Sequence, residues 1–386
     1  MRLSEKNATQ VRLSVLVMLV ACGCLLVQMY ALPYKMMFWM SMSNRIMLVM
    51  WFAVVVYSIL VHGTKNVMAE LAIFIFTIIA FLLSVSENTM KFSSSFTALL
   101  NFFALPLMMV YLSFNGIEEI TKKTLLIANL FLSFIFIMLS RTRMAYRFEG
   151  PFFTVYTDEL TLGYANPNQT AIYLFICAIN LIVGFFYFRN RLIKLLFGAD
   201  FLYMVYLMNE TKCRTSILLI AVFIVLVIIH KIPKSFVSIA VIIPVVYAIM
   251  AQYLFPYFKD IRFMGEDIFN GREDLFGKYF EGLNIPRFLF GNFIKFEFAN
   301  MHNAYISIAA TAGIIVAVFY VLMLRKHLIM NREGGIPKGY QTVAFIGFIC
   351  VIMYSSTEAA GMIGGTNYAF MSVSLLAYFS KPFAKS

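Results

Sequence analysis

His302 and Asn303 stand where a charged, irregular stretch gives way to an apolar run long enough to cross a bilayer. A histidine in such a place can take the proton of an attacking hydroxyl, provided its imidazole is neutral. A helix N-terminus carries partial positive charge and unpaired N–H groups, a field that favours the neutral ring and welcomes an anion beside it. Position by itself suits a capping or headgroup-facing histidine equally well. Two arginines offer the rigid fork of donors that matches phosphate oxygens. Arg272 follows Gly271 in the charged stretch, and Arg214 opens another apolar run after Asn209-Glu210-Thr211-Lys212-Cys213. Each has an alternative, as an interfacial anchor or paired with Glu210, Glu273 or Asp274. Asn166-Pro167-Asn168 begins a third apolar run. That pattern is a helix cap followed by proline at the first helical position, or a pair of amides within reach of a sugar.

Other chemistries find no support. There is no DxD, HExxH, Walker loop or GxSxG. The acids Glu266-Asp267 and Glu273-Asp274 come as adjacent pairs without metal-site spacing, so neither a metal nor a cofactor is expected. Asp200 lies well inside an apolar run, where a carboxylate is costly, with Lys194 or Lys212 as expected partner. The roles of Asp200 and Glu358 stay open. Cys22, Cys24, Cys177 and Cys350 fall inside apolar runs as small core residues, and Cys213 alone is expected near a surface. Leu19-Val20-Ala21-Cys22 fits a lipoprotein cleavage box, but apolar sequence continues past it and the reading is an uncleaved first span.

The elements that must position these residues are membrane helices. Of 386 residues 61% are hydrophobic and 13% charged, about half the charge of a soluble domain. Twelve spans are expected, near 12–31, 45–61, 67–85, 96–114, 123–140, 168–188, 192–208, 215–230, 235–255, 303–324, 341–355 and 367–380. They are too long and unbroken for barrel strands. Residues 1–386 therefore read as a single polytopic, all-α membrane domain with two large loops, 141–167 and 256–302, the second just before the tenth helix.

Placing the N-terminus inside puts 17 of the 31 Lys and Arg in the cytoplasm. Six of the other 14 lie in the long 256–301 stretch, where bases carry little topological weight, so the count is 17 against 8. Both termini are then cytoplasmic and both large loops extracytoplasmic. The same asymmetry accounts for the net charge of +12 without nucleic acid, since no basic helix or stacking-aromatic module accompanies it. The sixth, eighth and tenth spans all run inward. If they are neighbours, their N-termini make an anion-binding rim holding Arg214, Arg272 and His302.

The motifs in order resemble the O-antigen ligase and O-antigen or capsule polymerase superfamily of membrane glycosyltransferases. The residues that carry the resemblance are Gly271-Arg272, Gly291, His302-Asn303 and, after nine residues, Gly313. Asn166-Pro167-Asn168 and the arginine of Lys212-Cys213-Arg214-Thr215-Ser216 are similar to further family features. The chain departs from the pattern at Val316, Phe276 and Cys213. The resemblance implies an inverting transferase in the bacterial cytoplasmic membrane, acting on an oligosaccharide carried by undecaprenyl diphosphate. It implies His302, Arg272 and Arg214 as catalytic groups. Asn303, Tyr305, Asn166, Asn168, Gly271, Gly291 and Arg287 would contact substrate, with membrane lipids, a chain-length regulator and a flippase as further partners.

Three functions fit: a polymerase of lipid-linked repeat units, a ligase moving finished glycan to lipid A-core or another acceptor, and a transporter of the same lipid. The transporter is disfavoured because transporter sites sit at the midplane between inverted repeats, whereas this polarity lies at the rim. Polymerase is preferred for the compact chain and the departure at Val316.

Overall fold

Backbone groups in hydrocarbon find partners only within a helix or a closed barrel, so apolar runs this long fold as helices. The structure, a computed structural model, describes residues 2–86, 92–114, 117–149, 154–229, 242, 246, 262–263, 266–267, 282–292, 302–330, 339–358 and 365–379. The helices are α1 (Arg2–Ala31), α2 (Met37–His62), α3 (Met68–Ser86), α4 (Phe92–Phe102), α5 (Ala104–Phe114), α6 (Glu119–Ser140), α7 (Pro167–Tyr187), α8 (Arg191–Glu210) and α9 (Arg214–Ile229). The short α10 (Ile285–Phe290), α11 (Ala304–Met330), α12 (Tyr340–Tyr354) and α13 (Thr366–Phe379) follow. Among the described residues eight stretches are long and apolar enough to cross a membrane, and α9 and α12 are shorter apolar helices. The protein is an all-α, multi-pass membrane protein.

Helix occupies every expected span except 235–255, which lies outside the described residues apart from Ile242 and Val246. Two expected spans differ in form. The stretch over 96–114 is broken at Phe103 into α4 and α5. Pro106 sits in the first turn of α5, where its missing N–H leaves no helical bond unmade. The tenth span continues to Met330 and is interrupted at Gly313, whose φ of 89° and ψ of 166° are not helical. Among the described residues two small antiparallel hairpins, absent from the all-helical expectation, lie in the large loops. Arg147–Glu149 pairs with Thr154–Tyr156, and Arg262–Phe263 with Glu266–Asp267.

The α7 helix is the hub. Residues 170–181 are all buried, and it packs on α6, α8, α9, α12 and α13. Its neighbours α12 and α13 are also buried along nearly their whole lengths, whereas α2 and α8 turn many apolar side chains outward, as lipid contact requires. Polar contacts cluster at two opposite ends of the bundle. At one end the Tyr164 hydroxyl donates to the Met29 carbonyl at 2.8 Å, Leu160 N–H to Glu210 at 2.9 Å, and Ala304 N–H to Ser355 at 2.8 Å. At the other end the starts of α3, α6 and α12 meet the ends of α5, α7 and α11. Lys326 pairs there with the buried Glu70, Ser113 lies 3.3 Å from His327 Nε2, and the Lys122 ammonium is 5.9 Å from the Tyr340 ring centre.

Candidate functional site

The mouth of α11 is built around Asn303, not His302. The Asn303 side chain is fully buried, and its Oδ1 accepts from the backbone of Tyr305 at 2.9 Å and of Ile306 at 3.0 Å. Those two bonds satisfy N–H groups that a helix start leaves without partners. The Asn303 Nδ2 group donates to the Ser356 carbonyl at 2.9 Å, tying α11 to the turn that follows α12.

His302 precedes the cap with φ of 49°, a left-handed conformation uncommon for a residue with a side chain. Its Nδ1 lies 3.3 and 3.2 Å from the two carboxylate oxygens of Glu358. An ionised carboxylate only accepts, so Nδ1 is the donor in this pair, and in the neutral ring Nε2 then holds the lone pair. The His302 side chain is 29% exposed and that of Glu358 11%, so the pair is reachable from outside yet partly shielded from water. The carboxylate orients the ring and would stabilise an imidazolium formed on it.

Arg214 is the exposed first residue of α9. The Sγ of Cys213 lies 3.4 Å from the Tyr354 hydroxyl, and Tyr354 closes α12 four residues before Glu358. The start of α9 is therefore joined to the turn that bears Glu358. Cys213, expected near a surface, is buried by this contact. The adjacent Lys212 pairs with Asp158, and this holds the Asp158 carboxyl below the usual carboxylate range. Lys212 is thus not the partner of Asp200. Asp200 accepts instead from the Ser133 hydroxyl at 2.5 Å, while Lys194 lies over the Phe185 ring at 5.7 Å.

Asn166 caps α7, its Oδ1 accepting from Gln169 N–H at 2.7 Å, with Pro167 at the first helical position. Asn168 is half-buried in the same turn. Further along α7 the Tyr173 ring stacks on Tyr368 at 4.3 Å, and Asn367 Nδ2 donates to the Tyr173 hydroxyl at 2.6 Å. That stack joins α7 to the start of α13. Tyr305 is buried and its hydroxyl has no hydrogen-bond partner among the described residues.

Gly291 and Arg287 lie elsewhere. Arg287 sits on α10, its Nη1 donating to the Gly282 carbonyl at 3.1 Å, and Gly291 packs against α11 near Gly313. Gly271, Arg272, Phe276, Glu273 and Asp274 lie outside the described residues. Among the expected groups the structure thus brings together His302, Asn303, Tyr305 and the start of α9. Glu358 is the member whose role the sequence left open. Its signal is the polar run Ser355-Ser356-Thr357-Glu358 closing an apolar helix.

Fold and site define a class: an all-α, multi-pass membrane protein with a histidine–carboxylate pair at the mouth of a helix. No protein-family model matches the chain, and no curated protein matches it.

Proposed function

We propose that the chain is a metal-independent, inverting glycosyltransferase that joins undecaprenyl-diphosphate-linked oligosaccharide repeats at the outer face of the bacterial cytoplasmic membrane. The observation that carries the reading is the division of labour at the start of α11. Asn303 supplies the cap, leaving His302 free to face Glu358 with Nε2 as proton acceptor. In the reaction an acceptor hydroxyl oxygen attacks the anomeric carbon of the donor and its proton passes to His302 Nε2. The bond from that carbon to the diphosphate breaks, and the electron pair leaves with the lipid diphosphate. Glu358 keeps the ring in the productive tautomer and balances the imidazolium.

Charge developing on the leaving diphosphate calls for fixed donors. Arg214, Arg272 and the helix N-termini of α7, α9 and α11 would act by electrostatic preorganisation. Asn166 retains its Nδ2 donor while capping, and the half-buried Asn168 adds a polar group for the sugar, whereas the buried Tyr305 hydroxyl is out of its reach. The resemblance of the Gly271-Arg272 to Gly313 segment to the ligase and polymerase superfamily supports the same reading.

The test supplies purified protein with undecaprenyl-diphosphate repeat units alone and follows chain length by gel. Elongation is expected. Absence of elongation, with transfer appearing once lipid A-core is added, makes the protein a ligase. Absence of both removes the transferase reading.

A further inference from the structure

Residues 282–292 belong to the long connection before α11, a stretch expected on the outer surface. In the structure α10 lies against α3 and α11. There backbone meets backbone, with Asn292 N–H donating to the Ala310 carbonyl at 2.8 Å. Two glycines make the approach possible. A Cβ on Gly291 would stand 2.5 Å from the Thr311 carbonyl carbon and 2.6 Å from the Ala312 and Gly313 nitrogens. A Cβ on Gly313 would overlap the Leu289 carbonyl and stand 2.6 Å from the Phe290 Cα. Both glycines also hold positive φ, 69° and 89°. The contact lies nine residues below the start of α11, roughly 14 Å along its axis.

Because Gly313 is not helical, α11 consists of two rods, 304–312 and 314–330. The upper rod carries His302 at its head. It is tied at the top by the bonds of Asn303 and Ala304 to Ser356 and Ser355, and at the bottom by the Asn292–Ala310 bond. A glycine break without that lower tie is a pivot. We infer that Gly291 and Gly313 form a latch, one backbone seated in the break of another, that fixes the direction of the rod carrying His302. They are positioning residues. Their effect on turnover rests on the reading of His302 as the base, whereas the latch itself does not.

The test uses the full chain in nanodiscs, with Gly291→Ala and Gly313→Ala beside Gly63→Ala. Gly63 has φ of 76° and nothing within 4 Å of its would-be Cβ, so it isolates backbone strain from the seat. Alanine at 313 also favours helical continuation, which expels the 289–292 backbone. Amide hydrogen exchange in 304–312 should quicken by about tenfold or more in both latch variants and not in Gly63→Ala, with 316–330 unchanged. Turnover should fall by roughly 10–100-fold, as small misplacements of reacting groups do, with KM within a few-fold and the acid limb of the pH profile retained.

Unchanged exchange in 304–312 overturns the latch, whatever happens to turnover. Faster exchange with wild-type turnover overturns its positioning of His302. If the wild-type chain transfers no sugar, the functional reading fails and exchange alone decides the latch. Should neither alanine variant fold, Asn292→Cys with Ala310→Cys in a background free of the other cysteines carries the test. Oxidation must cross-link that pair, and failure to do so overturns the latch.

Discussion

The Nδ1 atom of His302 lies 3.3 and 3.2 Å from the two carboxylate oxygens of Glu358, across 56 positions of sequence. An imidazole held this way has one nitrogen committed as donor and the other available as acceptor. The neighbouring Asn303 does the work of capping, so substitutions can separate chemistry from folding.

His302→Gln should insert and fold normally, because the cap remains, yet lose roughly the 10²–10⁴-fold that a positioned base contributes. Glu358→Gln removes the negative charge and lets the amide hold the ring in the wrong tautomer, so its turnover should also fall, by up to roughly the 10⁴-fold that such an acid-to-amide change costs a Ser-His-Asp triad. Wild-type activity should decline on acidification, since a protonated ring accepts no proton, and His302→Gln should lack that limb. Single-turnover assays over a pH series read both effects. A His302→Gln enzyme within a few-fold of wild type at every pH leaves catalysis to the arginines and helix ends.

Asn303→Ala should behave in the opposite sense, with stability lost first. It removes two bonds to helix N–H groups and one to the Ser356 carbonyl. A lost cap costs about 1 kcal/mol, and a buried carbonyl left unpaired adds to it. Thermal unfolding in detergent should show a lowered midpoint for Asn303→Ala and none for His302→Gln.

Arg214→Lys and Arg272→Lys keep charge but lose the bidentate fork. If both arginines grip the diphosphate, each variant should lose most of its polymerising activity in cells lacking the native gene, at unchanged protein level. Near-normal polymer from both would make them interfacial anchors.

Orientation rests on the count of 17 bases against 8. Cysteines placed at Asp158 and Glu281 should react with an impermeant thiol reagent in intact cells or spheroplasts, and one at Met330 should be protected. The five native cysteines are all buried, so their background labelling should be low. Labelling at Met330 with protection at Glu281 reverses the orientation.

Much of the architecture was legible residue by residue. A run such as 167–187 must be helical because its hydropathy and length leave a bilayer-buried backbone no other partner. The start of α7 was equally legible, since Asn-Pro at a helix entrance is a local signal set by hydrogen bonds only three residues long. His302-Asn303 marked the mouth of α11 for the same reason, but local sequence was silent on which residue caps and which is left free. That depends on the left-handed turn at 302 and on the Ser356 carbonyl, which waits on a different helix.

Tertiary packing alone decided the partners. Asp200 was expected to find a lysine and found Ser133, because α8 packs with α6 while Lys212 pairs with Asp158 and Lys194 lies over Phe185. Cys213 was expected at a surface and is buried under Tyr354. Gly313 reads in sequence as a small residue entering a span, and only the seating of Leu289 to Asn292 against it shows why no side chain fits. Periodicity and hydropathy report how each segment meets its solvent, water or lipid. Which two segments touch, and therefore that Glu358 stands behind His302, is set by helix packing between residues far apart in the chain, which no local pattern encodes.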